Sequence, residues 1–466
     1  MTPRVWVSEI EFSDGKKIEL DKNDIIVFVG PNNAGKSASL KNISELLWNR
    51  DKKNKLKVVK DIVIEKEGEI SDLISFLKIK SLDSEESNPT YVGYNYEVYG
   101  PSAMKYWNEY KYGLSELSRL FINTLTTEGR LSAANPANNI KITSDVLRHP
   151  IHFLQKDDSL EEKFNEYFKQ AFDKDLMLHR NAGSEVPFYV GDKPIPKDGE
   201  DRQSIGYLRE IEKQDTLLSQ GDGMRSFVGV LLSAFISEHS ILFIDEPEAF
   251  LHPPQARLLG KMLAKDLPME RQLFLATHSE DFLKGLIDAD KSNLKIIRIQ
   301  RNDNINIVSV LENSEIKKIW DDSLLRHSNI LSGLFHSKVV VCESDSDCQF
   351  YSSMFSEGLN IKEAQKDVLF IHCGGKHRVP VAIATLKKLD VPLKVISDFD
   401  VLNDETPLRQ IYEGLGGMWS EVEKDWKLVK GTIDAQRPEL LTEDFRKEIE
   451  KIISSVEVTP KNWTVK

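Results

Sequence analysis

The segment 30–37 constrains the fold of this chain more than any other. Its eight residues, Gly-Pro-Asn-Asn-Ala-Gly-Lys-Ser, follow the continuous apolar run 25–29 and precede apolar residues at helical spacing from Leu40 to Leu47. Strand, glycine-rich loop and helix in this order are typical of a phosphate-binding loop, because the glycines let backbone N–H groups surround phosphate oxygens at a helix N-terminus. The pattern predicts an α/β domain that binds a nucleotide.

The loop also assigns roles to its own side chains. Lys36 is expected to bridge the β- and γ-phosphates of ATP, and Ser37 is expected to ligate Mg²⁺. The other predicted nucleotide-binding residues of the loop are Gly30, Asn32, Asn33 and Gly35.

Two further apolar runs end in residues that suit a nucleotide site. The run 241–244 ends in Asp245 and Glu246, and the run 272–276 is followed by threonine and His278. Ligands bind at the carboxyl ends of the strands of an open parallel sheet. We therefore expect Asp245 to hold the Mg²⁺ shell and Glu246 to orient or deprotonate the attacking water. His278 would lie beside the γ-phosphate.

A second glycine-rich segment lies between these motifs. Ser219, Gly221 and Gly223 precede a predicted helix over 227–236, which would form a second anion-binding helix N-terminus. This is the place of the ABC-type signature loop, although the common form Leu-Ser-Gly-Gly-Gln is not reproduced. The set of motifs resembles the ABC-class ATPases of the DNA-repair type. Those enzymes act as head-to-head dimers with ATP between the subunits, which implies at least a homodimer.

Composition limits the possible classes of protein. The chain has 466 residues, 40% of them hydrophobic, and a formal net charge of -12. Length and hydrophobic content favour a globular protein of two or three domains. No apolar run approaches membrane-spanning length and the N-terminus lacks the form of a signal peptide, so we expect a cytoplasmic protein without a membrane partner. Nucleic-acid binding would need local basic patches or metal ions. The densest basic run, 50–60, is interpreted either as a solvated loop or as a contact to a nucleic-acid backbone.

The last third of the chain repeats the pattern of acids at strand ends. The predicted strand 338–341 is followed by Glu343 and Asp347, and the strand 393–396 by Asp398 and Asp400. The two acids of Asp-Phe-Asp are expected to point the same way, because side chains of a strand repeat every second residue. Grouped carboxylates repel one another unless cations lie between them, so the four acids predict a Mg²⁺ or Mn²⁺ site. Such ions activate water and stabilise the leaving oxygen in phosphodiester cleavage.

These acids resemble the TOPRIM domain of topoisomerases, primases and certain nucleases. An ABC-type ATPase followed by TOPRIM resembles the OLD family of ATP-dependent nucleases, which includes anti-phage and retron-associated enzymes. The resemblance implies a DNA endonuclease with Glu246, His278, Glu343, Asp347, Asp398 and Asp400 as catalytic residues. It also implies a homodimer or higher homo-oligomer and, for a retron effector, a reverse transcriptase with its RNA/DNA product. The family commonly uses a lysine beyond the Asp-x-Asp; the candidates here are Lys376, Lys424, Lys427 and Lys461.

The predicted fold class is α/β. An ABC-type ATPase domain is expected over 1–330, with a helical insertion over about 130–218, and a smaller parallel-sheet TOPRIM domain with a C-terminal helical tail over 337–466. A different class of function stays open at this point. The chain could be an ATP-driven DNA-binding clamp whose TOPRIM fold is an interaction module that does not cleave.

Overall fold

The computed structural model of the protein describes residues 2–77, 89–93, 96–302, 305–312, 329–357, 367–388, 390–435 and 442–455. Lys461, one of the candidate lysines, lies outside the described residues.

The strands are, in chain order, β1 (Arg4–Phe12), β2 (Lys17–Glu19), β3 (Ile25–Val29), β4 (Val59–Glu67), β5 (Thr90–Gly93), β6 (Tyr96–Tyr99), β7 (Ile122–Leu125), β8 (Ala137–Asn138), β9 (Asp175–Leu178), β10 (Glu185–Val186), β11 (Phe188–Gly191), β12 (Asp215–Thr216), β13 (Ile241–Asp245), β14 (Gln272–Ala276), β15 (Leu294–Asn302), β16 (Ile305–Glu312), β17 (Lys338–Cys342), β18 (Val368–His372) and β19 (Leu393–Val395).

The α-helices span Lys36–Trp48, Ile70–Phe76, Gly100–Asn108, Ser118–Phe121, Thr127–Ala133, Pro150–Lys156, Asp158–Phe172, Ile205–Ile211, Asp222–Leu231, Pro253–Asp266, Glu280–Asp288, Asp345–Glu357, Val379–Lys388, Glu405–Gly414, Trp419–Ala435 and Thr442–Ser455. Short 3₁₀ helices include Arg50–Lys55, Leu217–Ser219 and Phe399–Asn403.

A six-stranded sheet of order β16-β15-β3-β14-β13-β7 organises the first part of the chain. Neighbours from β15 to β7 pair in parallel, and β16 is antiparallel to β15 at one edge. Alternate residues of β3 enter two different hydrophobic cores, Val27 on one face and Phe28 on the other. Both faces are therefore covered, which explains why β3 reads as an unbroken apolar run.

A second sheet packs on one face of the six-stranded sheet. It is antiparallel, with the order β2-β1-β4, and its apolar residues belong to the same core as the helix Lys36–Trp48. The buried residues of that helix include Leu40, Ile43, Leu46 and Leu47, which are the residues whose spacing predicted it.

The predicted insertion is not only helical. Residues 130–218 contain the helices Pro150–Lys156, Asp158–Phe172 and Ile205–Ile211, together with the strands β8 to β12. The helix Asp158–Phe172 buries Phe164, Tyr167 and Phe168, as its periodicity indicates. The strands were missed because each has only two to four residues, which is too short for a recognisable alternation.

A three-stranded parallel sheet of order β18-β17-β19 organises the later part of the chain. Arg298 of β15 joins this part to the central sheet. Arg298 is 1% exposed, and its guanidinium donates hydrogen bonds to the carbonyl oxygens of Leu334 (3.3 Å), His336 (3.0 Å) and Asp390 (3.1 Å). None of the described helices has the length and apolar character needed to cross a membrane.

The helices Pro253–Asp266 and Glu280–Asp288 pack closely through two glycines, which yields a test of the fold. A Cβ at Gly260 would overlap the carbonyl oxygen of Phe282, and a Cβ at Gly285 would overlap that of Arg257. We expect Gly260→Ala and Gly285→Ala each to destabilise the protein by roughly 1–3 kcal/mol, because backbone cannot yield as a side chain does. Thermal unfolding measures the effect.

Gly431→Ala is the matched control. Gly431 lies in the helix Trp419–Ala435, and an added Cβ there meets no heavy atom within 4 Å. Alanine should leave the unfolding temperature unchanged or raise it, because it favours a helix over glycine by about 1 kcal/mol. Equal destabilisation by all three variants would contradict the close-packing explanation.

Candidate functional site

The loop after β3 has the backbone conformation of a phosphate cradle. Gly30 has φ 145°, Asn33 has φ 62° and Gly35 has φ 108°. Gly30 also lies against the carbonyl oxygen of Ile299, which a Cβ would overlap. Glycine is needed at position 30 for space as well as for conformation. Asn32 and Asn33 are exposed on the loop, where a nucleotide can reach them.

Lys36 begins the helix after the loop and folds over it. Its Nζ donates hydrogen bonds to the carbonyl oxygens of Gly30 (2.8 Å) and Pro31 (3.0 Å). Burial lowers the pKa of Lys36, while the carboxylates of Glu246 and Asp245 act in the opposite direction. The ammonium group is therefore held inside the loop, as a phosphate ligand requires.

Ser37 and Asp245 meet where β3 and β13 end. Ser37 Oγ donates a hydrogen bond of 2.9 Å to Asp245 Oδ1. Burial raises the pKa of Asp245, an effect that a bound cation would oppose. A hydroxyl and a carboxylate at this separation fit the Mg²⁺ shell of a P-loop nucleotide site.

Glu246 and His278 lie on adjacent strand ends. Glu246 has φ 49°, and its N–H donates to the carbonyl oxygen of Ala276 at 2.8 Å. Its Oε1 lies 3.3 Å from His278 Nδ1, and about half of each side chain is exposed. The structure thus brings together Ser37, Asp245, Glu246 and His278, at the edge of the sheet that the sequence predicted.

Glu248 is a third acid of this edge, and the sequence reasoning missed it. Its Oε1 accepts hydrogen bonds from Thr277 Oγ1 (2.7 Å) and from the backbone N–H of His278 (3.2 Å), and lies 3.5 Å from His278 Nδ1. The residue is 6% exposed, and burial raises the pKa of Glu248. The run Asp-Glu-Pro-Glu was the available signal, because it places this acid two residues beyond Glu246.

Arg130 was missed as well. It is fully buried and donates hydrogen bonds to the backbone carbonyl of Asp245 and to Ser226 Oγ (3.1 Å). Ser226 belongs to the helix Asp222–Leu231, so Arg130 fixes that helix to the end of β13. No local motif marks a buried arginine whose partners lie about 100 residues away.

The signature-like residues lie around the start of that same helix. Ser219 ends the 3₁₀ helix Leu217–Ser219 and donates to the carbonyl oxygen of Thr216 at 2.7 Å. Gly221 is the N-cap of the helix, and Gly223 lies so close to the carbonyl oxygen of Phe250 that a Cβ would be 2.7 Å from it. Their function in a partner subunit's ATP site stays a prediction.

Three of the four predicted metal-binding acids converge in the later part. Glu343 follows β17 and Asp398 and Asp400 follow β19, and each offers an oxygen within 4.8 Å of the others. Glu343 Oε1 also accepts a hydrogen bond of 3.1 Å from the N–H of Asp398. Carboxylate oxygens this close fit Mg²⁺ or Mn²⁺, which prefer oxygen ligands.

The two aspartates converge for a different reason from the one predicted. β19 ends at Val395, so Asp398 and Asp400 do not alternate along a strand. Asp398 is instead the extended N-cap of the 3₁₀ helix Phe399–Asn403, and Asp400 lies in its first turn. The turn brings both carboxylates to the same side as Glu343.

Asp347 lies outside the group of three. Its Oδ2 accepts hydrogen bonds from the N–H (2.9 Å) and the Oγ (2.7 Å) of Ser344 in the first turn of the helix Asp345–Glu357. This arrangement stabilises the helix N-terminus. Its predicted metal ligation therefore has no geometric support from the described contacts.

The structure singles out Lys376 among the candidate lysines. Lys376 Nζ lies 3.0 Å from Asp400 Oδ2 and 2.8 Å from Asp404 Oδ2. Hydrogen bonds to Asp404 and Asp400 raise the pKa of Lys376. Lys427, by contrast, pairs with Glu423 at 2.7 Å on its own helix.

Two family models match separate parts of the chain. Residues 110–283 match a model whose description includes "AAA domain" and "Type IV TA system". Residues 334–400 match a model described as "Overcoming lysogenization defect protein-like, TOPRIM domain". The first match begins after the phosphate loop and includes Glu246 and His278. The second includes Glu343, Asp398 and Asp400.

Solved structures of Smc head domains are similar to parts of the chain. A Smc head bound to the C-terminal winged-helix domain of ScpA has 14% identity and a TM-score of 0.41, covering 67% of this chain and 99% of that one. A head domain from Pyrococcus furiosus has 13% identity and a TM-score of 0.38, covering 69% and 99%. A head domain from Thermotoga maritima has 14% identity and a TM-score of 0.34, covering 67% and 100%. A comparison with curated proteins gave no match.

The fold, the two site geometries and the family matches define a class of protein. It is an α/β chain in which a P-loop ATPase domain precedes an OLD-like TOPRIM domain with a parallel sheet. This combination matches the ATPase–TOPRIM proteins of the OLD family, and it confirms the predicted fold class and family.

The contacts of Glu248 predict how it affects ATP hydrolysis. Glu248→Gln should lower the hydrolysis rate about 10- to 100-fold while ATP affinity changes little, because Glu248 orients His278 and touches no phosphate-loop residue in the described hydrogen bonds. Combining it with His278→Ala should add little to the loss caused by His278→Ala alone. Steady-state hydrolysis and fluorescent-nucleotide titration measure the two quantities.

Glu270→Gln serves as the control for this cycle. Glu270 is an exposed acid shortly before β14 begins, whereas His278 follows the end of that strand. Substitution of Glu270 should therefore leave the hydrolysis rate unchanged. Losses that add in the double variant would show that Glu248 does not act through His278.

Proposed function

We propose that this protein is an ATP-hydrolysing endonuclease that cleaves DNA phosphodiester bonds with Mg²⁺ or Mn²⁺ at the TOPRIM domain. The observation that carries the proposal is the convergence of Glu343, Asp398 and Asp400 within 4.8 Å at the carboxyl edge of a parallel sheet. Three carboxylates this close are unfavourable without positive charge between them.

The electrostatics of Glu343 support cation binding at this position. Burial raises the pKa of Glu343, and repulsion from Asp400 and Asp398 raises it further. A divalent cation reverses this balance by favouring the ionised forms of all three acids. When bound, such a cation supplies Lewis-acid activation of a water and charge stabilisation at the phosphate. Glu343, Asp398 and Asp400 would hold it, and Lys376 beside Asp400 would attract the phosphodiester.

The charge of the whole chain agrees with a metal-dependent approach of DNA. A formal net charge of -12 repels a polyanion in general, so the site needs local cations. The three acids would gather them, and Lys376 adds one positive charge of the protein itself.

In the ATPase domain the proposed roles follow the contacts. Lys36 and the backbone around Gly30 and Gly35 hold the phosphates, while Ser37 and Asp245 hold Mg²⁺. Glu246 activates the attacking water, and His278 lies beside Glu246. Ser219, Gly221 and Gly223 act in the ATP site of a second subunit, which makes the active ATPase a homodimer.

We further propose that the ATPase domain spans 1–330 and the TOPRIM domain 337–466. The nucleotide state of the ATPase domain then controls the TOPRIM site. The hydrogen bonds of Arg298 to Leu334, His336 and Asp390 support this control, since they connect the ATPase sheet to the segments that lead into β17 and β19. Defence against phage is the setting that fits an OLD-type enzyme. No finding supports the reverse transcriptase partner, so the proposed function does not include it.

One observation favours the alternative function, a DNA-binding clamp that does not cleave. Lys376 already pairs with Asp400 and Asp404, so a protein cation partly neutralises the acids without a metal ion. A TOPRIM domain neutralised in this way could serve as an interaction module.

A plasmid-nicking assay separates the two functions. Wild-type protein should convert supercoiled DNA to nicked or linear forms with Mg²⁺ or Mn²⁺, and EDTA should abolish the reaction. Glu343→Ala should lower the cleavage rate by at least about 100-fold, because it removes a residue that binds the metal ion directly rather than one that only positions a metal ligand.

Asp345→Asn is the matched control. Asp345 is an exposed acid two residues away whose carboxylate accepts a hydrogen bond of 2.8 Å from Gln349 within its own helix. It should retain full cleavage. DNA binding without cleavage by the wild type with either ion would reject the nuclease and support the clamp.

A further inference from the structure

A pocket of about 390 Å³ is lined by none of the residues assigned to the two sites described above. It is formed between the C-terminal half of the helix Lys36–Trp48, the 3₁₀ helix Arg50–Lys55 and the first three residues of the edge strand β7. Its lining includes Glu45, Trp48, Lys52, Arg119, Asn123 and Thr124.

The pocket is separate from the ATP site. The helix Lys36–Trp48 starts at the phosphate loop, and its residues Ser44, Glu45 and Trp48 line the pocket, about 12–18 Å along the helix axis from Lys36. It lies along the first three residues of β7, whereas the phosphate loop and Asp245 lie at the carboxyl ends of strands that run parallel to β7. An ATP molecule bound at the loop therefore does not fill this pocket.

The walls of the pocket suit a flat, anionic ligand. The guanidinium of Arg119 lies 5.9 Å from the centroid of the Trp48 ring, which is the separation of a cation–π pair. Indole rings and guanidinium planes are the surfaces on which nucleobases stack. Lys52 and Arg119 together outweigh the negative charge of Glu45, so the pocket is locally positive on a protein of net charge -12.

An acidic residue, Glu45, also lines the pocket. Its carboxylate offers an acceptor for the exocyclic amino group of a base, and an acceptor beside a stacking surface can contact the edge of a nucleobase.

We propose that this pocket binds a nucleobase together with its phosphate. Trp48 stacks on the base, Glu45 contacts its edge, and Lys52 and Arg119 bind the phosphate. The ligand is either a free nucleotide or a residue of a single-stranded nucleic acid. This binding gives Lys52 of the basic run 50–60 a function that does not depend on cleavage by the TOPRIM domain.

Equilibrium binding on a Lys36→Ala background tests the proposal, because that change weakens the phosphate loop. The probes are a fluorescein-labelled single-stranded DNA of ten nucleotides and the four unlabelled ribonucleoside monophosphates, the latter measured by calorimetry. Trp48→Ala and Arg119→Ala should each weaken binding about 5- to 100-fold, the loss expected when one stacking partner is removed. Trp48→Phe should retain most of the affinity.

Arg209→Ala is the control, since Arg209 is an exposed arginine of the same part of the chain that does not line the pocket. Thermal unfolding checks that each variant is folded, and Arg119→Ala, which changes an exposed residue, keeps the test valid if Trp48→Ala unfolds. Monophosphate binding identifies a free nucleotide as the ligand, and binding of the oligonucleotide alone identifies a strand. Equal affinities for Arg119→Ala and Arg209→Ala would overturn the proposal. The failure of every probe to bind at about 1 mM would overturn it as well.

Discussion

The parallel pairing of β3, β14 and β13 is the constraint on which the ATPase domain depends. Because β14 pairs with both of the others, the three strands end at the same edge of the sheet. Three loops that are far apart in sequence then meet there, and the 2.9 Å hydrogen bond from Ser37 to Asp245 closes the arrangement. If a strand shifted by one residue in register, its apolar side chains would turn to the opposite face of the sheet. Because both faces pack against a hydrophobic core, the shift would disturb the packing on both. The packing that holds the strands thus also holds the site.

Much of this arrangement could be predicted from the sequence, because buried parallel strands leave a strong local signal. The strands 25–29 and 272–276 have the predicted bounds, and 241–244 gained only Asp245. The same reasoning failed over 130–218, where strands as short as β8 and β10 are held by their tertiary partners rather than by a local pattern. Strand position was predictable wherever burial on both faces imposed an apolar run.

The residues that complete the sites were harder to predict, because their roles depend on partners distant in sequence. Nothing near Arg130 reveals that its guanidinium meets Asp245 and Ser226. The lysine near the acids could not be chosen among four candidates until the structure placed Lys376 beside Asp400. Asp398 and Asp400 were grouped correctly for the wrong reason, since a 3₁₀ turn rather than strand alternation directs them. Sequence spacing shows that acids are close, but the backbone decides which way they point.

The buried guanidinium of Arg298 bears on how the two halves of the molecule can influence each other. Burial lowers the pKa of Arg298 to about 10, so the group stays charged at neutral pH and needs all of its hydrogen-bond acceptors. Three of these acceptors are carbonyl oxygens of Leu334, His336 and Asp390, which precede β17 and β19, the strands that carry Glu343 and the Asp-x-Asp pair. Separating β15 from these segments would deprive the buried charge of three of its acceptors and keep the bond to Gln300 Oε1 within β15 (2.8 Å), which is more costly than moving the strands together. Since β15 pairs with β3, and β3 leads into the phosphate loop, a displacement that starts at the nucleotide would carry the strands of the acidic cluster along as a unit. If the nucleotide state controls the TOPRIM site as proposed, the buried arginine favours rigid-body motion over local rearrangement as the means of that control.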